Sequence, residues 1–357
     1  MKSYLYLLML SLLAFFIIWM VFHFGEIPNK RDNGFKRHYF LKSYSQTHVM
    51  DFKDTLHEII GSTRSTIYIT TATSGEVLEI GENVSNKIKR IKIPFFSRFH
   101  DSLQLSSVAI KIDSPDIYLF AENKPAIIKT TFDSTLFEIR ILPPGPFSRE
   151  VMAGDDCFIL RKFEARVTDQ IFVRYNFSTG RLKKEENISE IYGDGGIKSD
   201  GQLHFDVETR KLYYIYYYKN LLLSFDTALN SVNKFFSIDT ISSFKIRTGI
   251  VKNNGTAAYT NITPANIINK VNCVKNGLLF NMSALRADNE SDKFFSDNSI
   301  LDIIDLRNGV YLGSISLPTF NGSKLSKFII SNNRLIGLYT NSMVIYDLNL
   351  DVIRKAQ

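Results

Sequence analysis

The feature that most narrows the fold is a recurring way of ending a strand. Apolar runs stop on Phe225-Asp226 in "LLLSFDTALN", on Ile304-Asp305 in "ILDIIDLRNG" and on Tyr346-Asp347 in "MVIYDLNLD". The same ending occurs at Phe132-Asp133 and Tyr175-Asn176, and in a degenerate form at Ile80-Gly81. An Asp or Asn after the last strand residue accepts backbone N–H groups and starts a turn. The anchors at 81, 133, 176, 226, 305 and 347 are separated by 52, 43, 50, 79 and 42 residues. A period of about 40–50 residues, with several short strands in each copy, is the pattern of a β-propeller.

Each copy divides into four strands. The first reads "TLHEIIG", "TIYITTA", "GEVLEIG" and "NKIKRIKI". The fourth reads "GQLHFDVE", "KLYYIYYY", "NLLLSFD" and "SVNKFFSI", and the sixth "SKFIIS", "RLIGLYT", "SMVIYDLN" and "DVIRKA". The sequence therefore predicts an all-β fold, a six-bladed β-propeller over residues 51–357, with seven blades as the alternative. Within "RKLYYIYYYKN", Leu212, Tyr214, Tyr216 and Tyr218 point one way along a strand, while Tyr213, Ile215 and Tyr217 point the other. Both faces are apolar or aromatic, as a middle blade strand sandwiched between two neighbours requires. The stripe reads as core and not as a platform for stacking bases or sugars.

The repeat and its strand-end Asp make residues 51–357 resemble the six-bladed, TolB-like β-propeller proteins found outside the bacterial cytoplasm. The resemblance implies a propeller and an extracytoplasmic setting. It supplies no active-site motif, and propellers host many unrelated functions.

The N-terminus adds a second strong signal. "LYLLMLSLLAFFIIWMVF", residues 5–22, carries no charge and one Ser, and about 20 such residues span a bilayer. The following "WMVFHFGE" lacks the small residues of a cleavage site. Residues 1–25 are thus expected to form an uncleaved signal anchor, a transmembrane helix, with secretion after cleavage as the alternative. Residues 26–50 read as a basic juxtamembrane linker. The propeller is expected outside the cytoplasm, in the periplasm if the source is a double-membrane bacterium.

Charge placement argues against nucleic acid. The chain carries a net +7, of which residues 1–42 hold +4. The tract Lys87, Lys89, Arg90, Lys92 alternates with Ile88, Ile91 and Ile93, which describes a strand with one wet face. No basic cluster remains on the folded part.

Catalytic signatures are scarce. No G-x-S-x-G, H-E-x-x-H or C-x-x-C occurs. Cys157 and Cys273, 116 residues apart, read as free thiols. His57 and His204 fall on predicted innermost strands, so both are candidates for a channel site, and Asp155 and Asp156 form an acidic pair before a strand. "YGDGGIKSDG" offers Asp194 and Asp200 as possible calcium ligands, but their spacing matches no calcium loop and a turn-rich link explains them. No metal site and no cofactor is assigned.

The 79-residue step is the informative irregularity. Segments 240–266 and 284–299 absorb its excess, and long loops in compact folds are often functional. "ALRADNESDKFFSDNS" places two adjacent phenylalanines among charges, the composition of a small interface anchor. Arg286, Asp288, Glu290, Asp292, Lys293, Phe294 and Phe295 are therefore expected to contact a partner. Packing of the phenylalanines on the propeller's own surface is the competing reading. The function expected is a binding or scaffolding module for an envelope protein or peptide. The alternatives are a hydrolase or lyase with a metal at the channel mouth, or a sensor of small ligands or glycans.

Overall fold

The computed structural model describes residues 2–24, 33–63, 65–72, 76–81, 88–93, 108–122, 124–132, 134, 136–154, 156–243, 246–253, 256–263 and 266–354. Among these, six four-stranded antiparallel sheets follow one another along the chain. The innermost strands are Leu56–Ser62, Val108–Asp113, Phe147–Met152, Gly201–Asp206, Asn269–Lys275 and Lys327–Ser331 in blades one to six. Neighbouring inner strands approach one another from blade three round to blade two through six and one. The molecule is a six-bladed β-propeller. No seventh blade forms among the described residues. The excess in segment 240–266 is instead a two-stranded hairpin, Thr248–Asn253 with Thr256–Asn261.

The repeated ending does what its chemistry requires. Each anchor among the described residues closes the third strand of its blade; Asp133 lies outside them. Asn176 Oδ1 accepts the Thr179 N–H at 2.8 Å, Asp226 Oδ1 that of Asn230 at 2.8 Å, and Asp305 Oδ1 that of Arg307 at 3.0 Å. The tight turn thereby satisfies backbone donors that leave the ladder.

The core is six wedges, one between each pair of blades. The tyrosine strand, Lys211–Tyr216, shows why. Leu212, Tyr214 and Tyr216 pack toward blade three, with Phe172 and Ile159. Tyr213 and Ile215 pack toward blade five, with Leu279 and Ile304. Tyr214 is fully buried and gives its hydroxyl hydrogen to the Ser199 carbonyl at 2.8 Å. The strand ends earlier than expected, at Tyr216. Tyr217 and Tyr218 belong to the turn, because Tyr217 N–H leaves the ladder to bond the Asp200 carbonyl at 3.0 Å.

The last blade corrects the sequence reading. "DVIRKA" was expected as its outer strand, but Leu350–Arg354 is a short helix. The outer strand is Tyr44–Asp51, antiparallel to Ser342–Leu348. Residues 44–50 of the expected linker are therefore part of the sixth sheet. The first strand of the ring is held by the last, which closes the propeller. The run of alternating bases behaves as expected, with Ile88–Lys92 forming the exposed outer strand of blade one.

At the N-terminus, Lys2–Phe24 is one α-helix. Its described side chains, at 6, 9–16 and 18–20, are all exposed. Among the described side chains no helix is long and apolar enough to cross a membrane.

Replacing Tyr214 by Ala leaves a cavity in the wedge between blades three and four and orphans the Ser199 carbonyl. The expected loss is about 3–5 kcal/mol, read as a lowered midpoint in denaturant unfolding. An unchanged midpoint would contradict the buried position.

Candidate functional site

In an up-and-down blade, the link entering the inner strand and the turn joining strands two and three open on the same end. In blade three, for example, Phe147 at the start of the inner strand pairs with Lys162 near the end of the second. The 284–297 insertion is the second turn of blade five, so it lies on the end where chains enter the blades.

The insertion holds the chain's own N-terminal segment. Asp288 accepts the N–H groups of Asn33 at 2.7 Å and Gly34 at 3.0 Å. The Asn289 amide both accepts from and donates to the Arg37 backbone, at 3.0 and 2.8 Å. The Arg37 side chain, fully buried, forks onto Asp302 at 2.7 and 2.9 Å and reaches Glu290 at 3.0 Å and the Leu285 carbonyl at 3.0 Å. Tyr39 gives its hydroxyl hydrogen to Glu290, and its ring meets Phe294 edge-on at 5.4 Å. The chain then pairs briefly with blade five's outer strand, at Tyr39 and Ser314. Gly313 permits this passage, since a Cβ there would lie 2.6 Å from Phe40 and 2.7 Å from His38.

The expected contacts therefore divide. Asp288, Glu290 and Phe294 grip residues 33–39. Arg286 braces the loop itself, donating to the Ala287 and Glu290 carbonyls at 3.0 and 2.6 Å and pairing with Asp292 at 3.1 Å. Phe295 lies half-buried under the Lys324 ammonium, 5.1 Å from its ring centre. Lys293 and Asp292 are exposed on the helix Asp292–Asp297, which Ser291 caps by accepting the Phe294 N–H.

The second site is the mouth of the central channel, a cavity of about 720 Å³ lined by all six inner strands. Its charged side chains come from distant points of the chain: Glu58, Lys111, Asp113, Glu122, Arg149, Glu150 and Lys327. Lys111 donates to Glu58 at 3.1 Å. Burial opposes ionisation of Glu58, yet Lys111, with Lys327 and His57, holds its carboxyl below the usual range. Arg149 is taken by Asp200 at 2.9 Å and the Gly201 carbonyl at 2.5 Å, with its guanidinium 5.5 Å over the Tyr217 ring. The Glu122 and Glu150 carboxyls make no hydrogen bond or ion pair among the described residues. Enclosure and the charge of Glu150 push Glu122 up to about 7, and enclosure raises Glu150 despite Lys111. Both remain in reach of channel water, being only half-buried.

Of the sequence candidates, His204 does line the channel. Its Nε2 is engaged by Asn272 Oδ1, and burial pushes it down to about 4, so it is neutral at ordinary pH. His57 is exposed and outside the cavity. Asp156 accepts from the Ser178 hydroxyl in the turn of blade three, and Asp155 lies outside the described residues. Asp194 accepts the N–H groups of Gly196 and Ile197 at 3.2 and 3.1 Å, and Asp200 serves Arg149 and Gly201. The "YGDGGIKSDG" link is thus a self-bonded turn, fastened by buried Arg161 to Gly196 O and Ser199 Oγ. Among the described residues no three His, Cys, Asp or Glu side chains gather as a metal cage.

Sequence reasoning missed the residues that define the mouth. A signal was present, because "LHEII", "VAIKID" and "FSREVM" each interrupt an inner strand with charge. A charge facing inward from the innermost strand has only the channel to enter.

No protein-family model matches the chain, and no curated protein matches it by sequence. Solved structures match by fold. A member of the DUF4221 family from Bacteroides vulgatus superposes with a TM-score of 0.53 at 13% identity, over 86% of this chain and 97% of that one. Virginiamycin B lyase from Staphylococcus aureus superposes with a TM-score of 0.51 at 11% identity, over 85% and 99%. At such identities the likeness shows the shared fold alone.

Two consequences are measurable. Arg37→Met strands the buried carboxylates of Glu290 and Asp302, so the domain should lose about 3–5 kcal/mol and residues 33–40 should become cleavable by protease. A variant as stable and as resistant as the parent would refute the clamp. Glu122 has a folded-state pKa raised from 4.5 to about 7. Its contribution is fully present below about 4.5 and is lost as pH rises through 7. Glu122→Gln should therefore leave the melting temperature unchanged at pH 4.5 and raise it at pH 8. An equal effect at both pH values would show that the carboxyl is not perturbed.

Proposed function

We propose that this protein is a membrane-anchored, extracytoplasmic binding module that captures a cationic group of an envelope protein or peptide in its channel mouth. The observation that carries the reading is that Glu122 and Glu150 line an open cavity with no hydrogen bond or ion pair to either carboxyl among the described residues, and enclosure raises the proton affinity of both. Two carboxyls held close in a shielded site gain most from an added positive charge. A Lys or Arg side chain, or a peptide's N-terminal amine, supplies that charge on a stem long enough to enter. Tyr217, at the same rim, offers an aromatic face to the stem.

The anchor rests on the sequence, where residues 5–22 carry no charge and one Ser and fall within the helix Lys2–Phe24. Large apolar side chains such as Leu10, Phe15 and Ile18 face outward around it, and a helix apolar on every side needs either a core or a membrane. The TolB-like resemblance supports the extracytoplasmic placement.

The test uses the full-length chain in detergent micelles against an array of short peptides. Peptides bearing Lys or Arg should bind, their acetyl-lysine and citrulline versions should not, and Glu150→Gln should weaken binding tenfold or more. Equal binding of charged and neutralised peptides would overturn the proposal.

A further inference from the structure

The segment that follows the N-terminal helix and the inserted hairpin both join the propeller on the end where chains enter the blades. Asn33, the first described residue after the helix, is gripped by Asp288 on one side, and its carbonyl accepts the Thr240 hydroxyl on the other at 2.7 Å. A Cβ on Gly34 would lie 3.1 Å from Thr240. Thr240 belongs to the link between blades four and five, eight residues before the hairpin begins at Thr248. Both therefore lie on the end where chains enter the blades, at which Glu122 and Tyr217, each just after a second strand, line the channel mouth.

The hairpin belongs to that end, and its described side chains include exposed apolar ones. Tyr259 packs against the link between blades three and four, where a Cβ on Gly195 would come within 2.7 Å of its ring. Val251 and Ile262 share the other face of the hairpin, since the pairing sets Gly249 opposite Thr260 and Ile262 lies over Gly249. Val251 is 54% exposed and Ile262 66% exposed, with Ile250 and Ile267 also open to solvent. Arg247, exposed beside them, is the kind of residue that flanks apolar contacts at a lipid headgroup layer.

We propose that the hairpin 248–261, with Ile262 directly after it, is a second membrane contact, inserting Val251 and Ile262 into the interface of the bilayer that holds the N-terminal helix. The inference rests on the anchor reading above. What selects a bilayer over another occupant is the length of chain between them. Eight residues, 25–32, separate the helix from the clamped Asn33, and even fully extended they span only about 30 Å. The clamp fixes where this tether arrives, on the same end of the propeller as the links that carry Thr240 and the hairpin. A propeller tethered so shortly at that point turns its channel-mouth end toward the lipid, and an exposed apolar hairpin there meets headgroups before it meets anything else. A ligand of the channel mouth must then come from a membrane-proximal segment.

The experiment reconstitutes the full chain in phosphatidylcholine–phosphatidylglycerol vesicles. Single cysteines at Val251→Cys, Ile262→Cys and, on the opposite end, Glu208→Cys carry an environment-sensitive dye, with the unsubstituted chain labelled in parallel to account for Cys157 and Cys273. Lipids bearing a nitroxide quencher at the upper acyl chain should quench the dye at 251 or 262 at least twofold and leave 208 unaffected. Equal quenching at the two ends, in protein that alkaline carbonate does not extract, would overturn the docking and leave the anchor standing. Extraction by carbonate would overturn both.

Discussion

Every blade of this propeller is apolar on both faces, and the rest of the structure follows from that constraint. A sheet with one oily face can rest on a helix or a second sheet. A sheet with two must stand between two others, and a row of such sheets leaves two bare faces unless it closes. Closure here joins blade six to blade one through a wedge containing Ile336, Met343, Ile67 and Leu78. The chain secures this seam by lending its first strand, Tyr44–Asp51, to the last blade. The ladder hydrogen bonds of that strand therefore hold together parts of the chain some 300 residues apart.

The segment ahead of that strand is fastened with charge instead of oil. Arg37 reaches two carboxylates and a carbonyl in a site closed to water. A buried ion cluster of this kind adds little net stability over an apolar filling, since desolvation offsets most of the attraction. It does fix one position, because only the planar guanidinium fits Asp302 with two parallel bonds while also meeting Glu290. The insertion in blade five reads naturally as the receptor for this segment. Its charged residues, which from sequence look like a surface for a foreign partner, find their first partner within the chain.

Ring closure also creates the candidate site. Six inner strands run side by side around an axis, and any side chain turned inward from them enters a shared, shielded space. Glu58, Lys111, Glu122, Arg149 and Glu150 come from three blades and act on one another's proton affinities only because the ring brings them together. The same geometry explains His204, whose neutrality is set by enclosure, against the opposing hydrogen bond to Asn272 on the next blade.

By itself the sequence determined the propeller period, the four-strand grain of blades one and four and the buried fate of Tyr214 and Tyr216. These are local properties: strand alternation, a turn-forming Asp after each third strand, and a regular spacing. The helical character of residues 2–24 is local in the same sense. What only the tertiary structure decided depends on pairs distant along the chain. Strand 44–51 lacks the apolar alternation of its neighbours, since an outer strand buries little, so its partner could not be read from its own residues. Arg37 looks like any other base in a basic linker until Glu290 and Asp302 surround it. Glu122 and Glu150 look like solvated charges until the ring removes most of their water. Burial and electrostatics are properties of the assembled ring, and no window of sequence contains them.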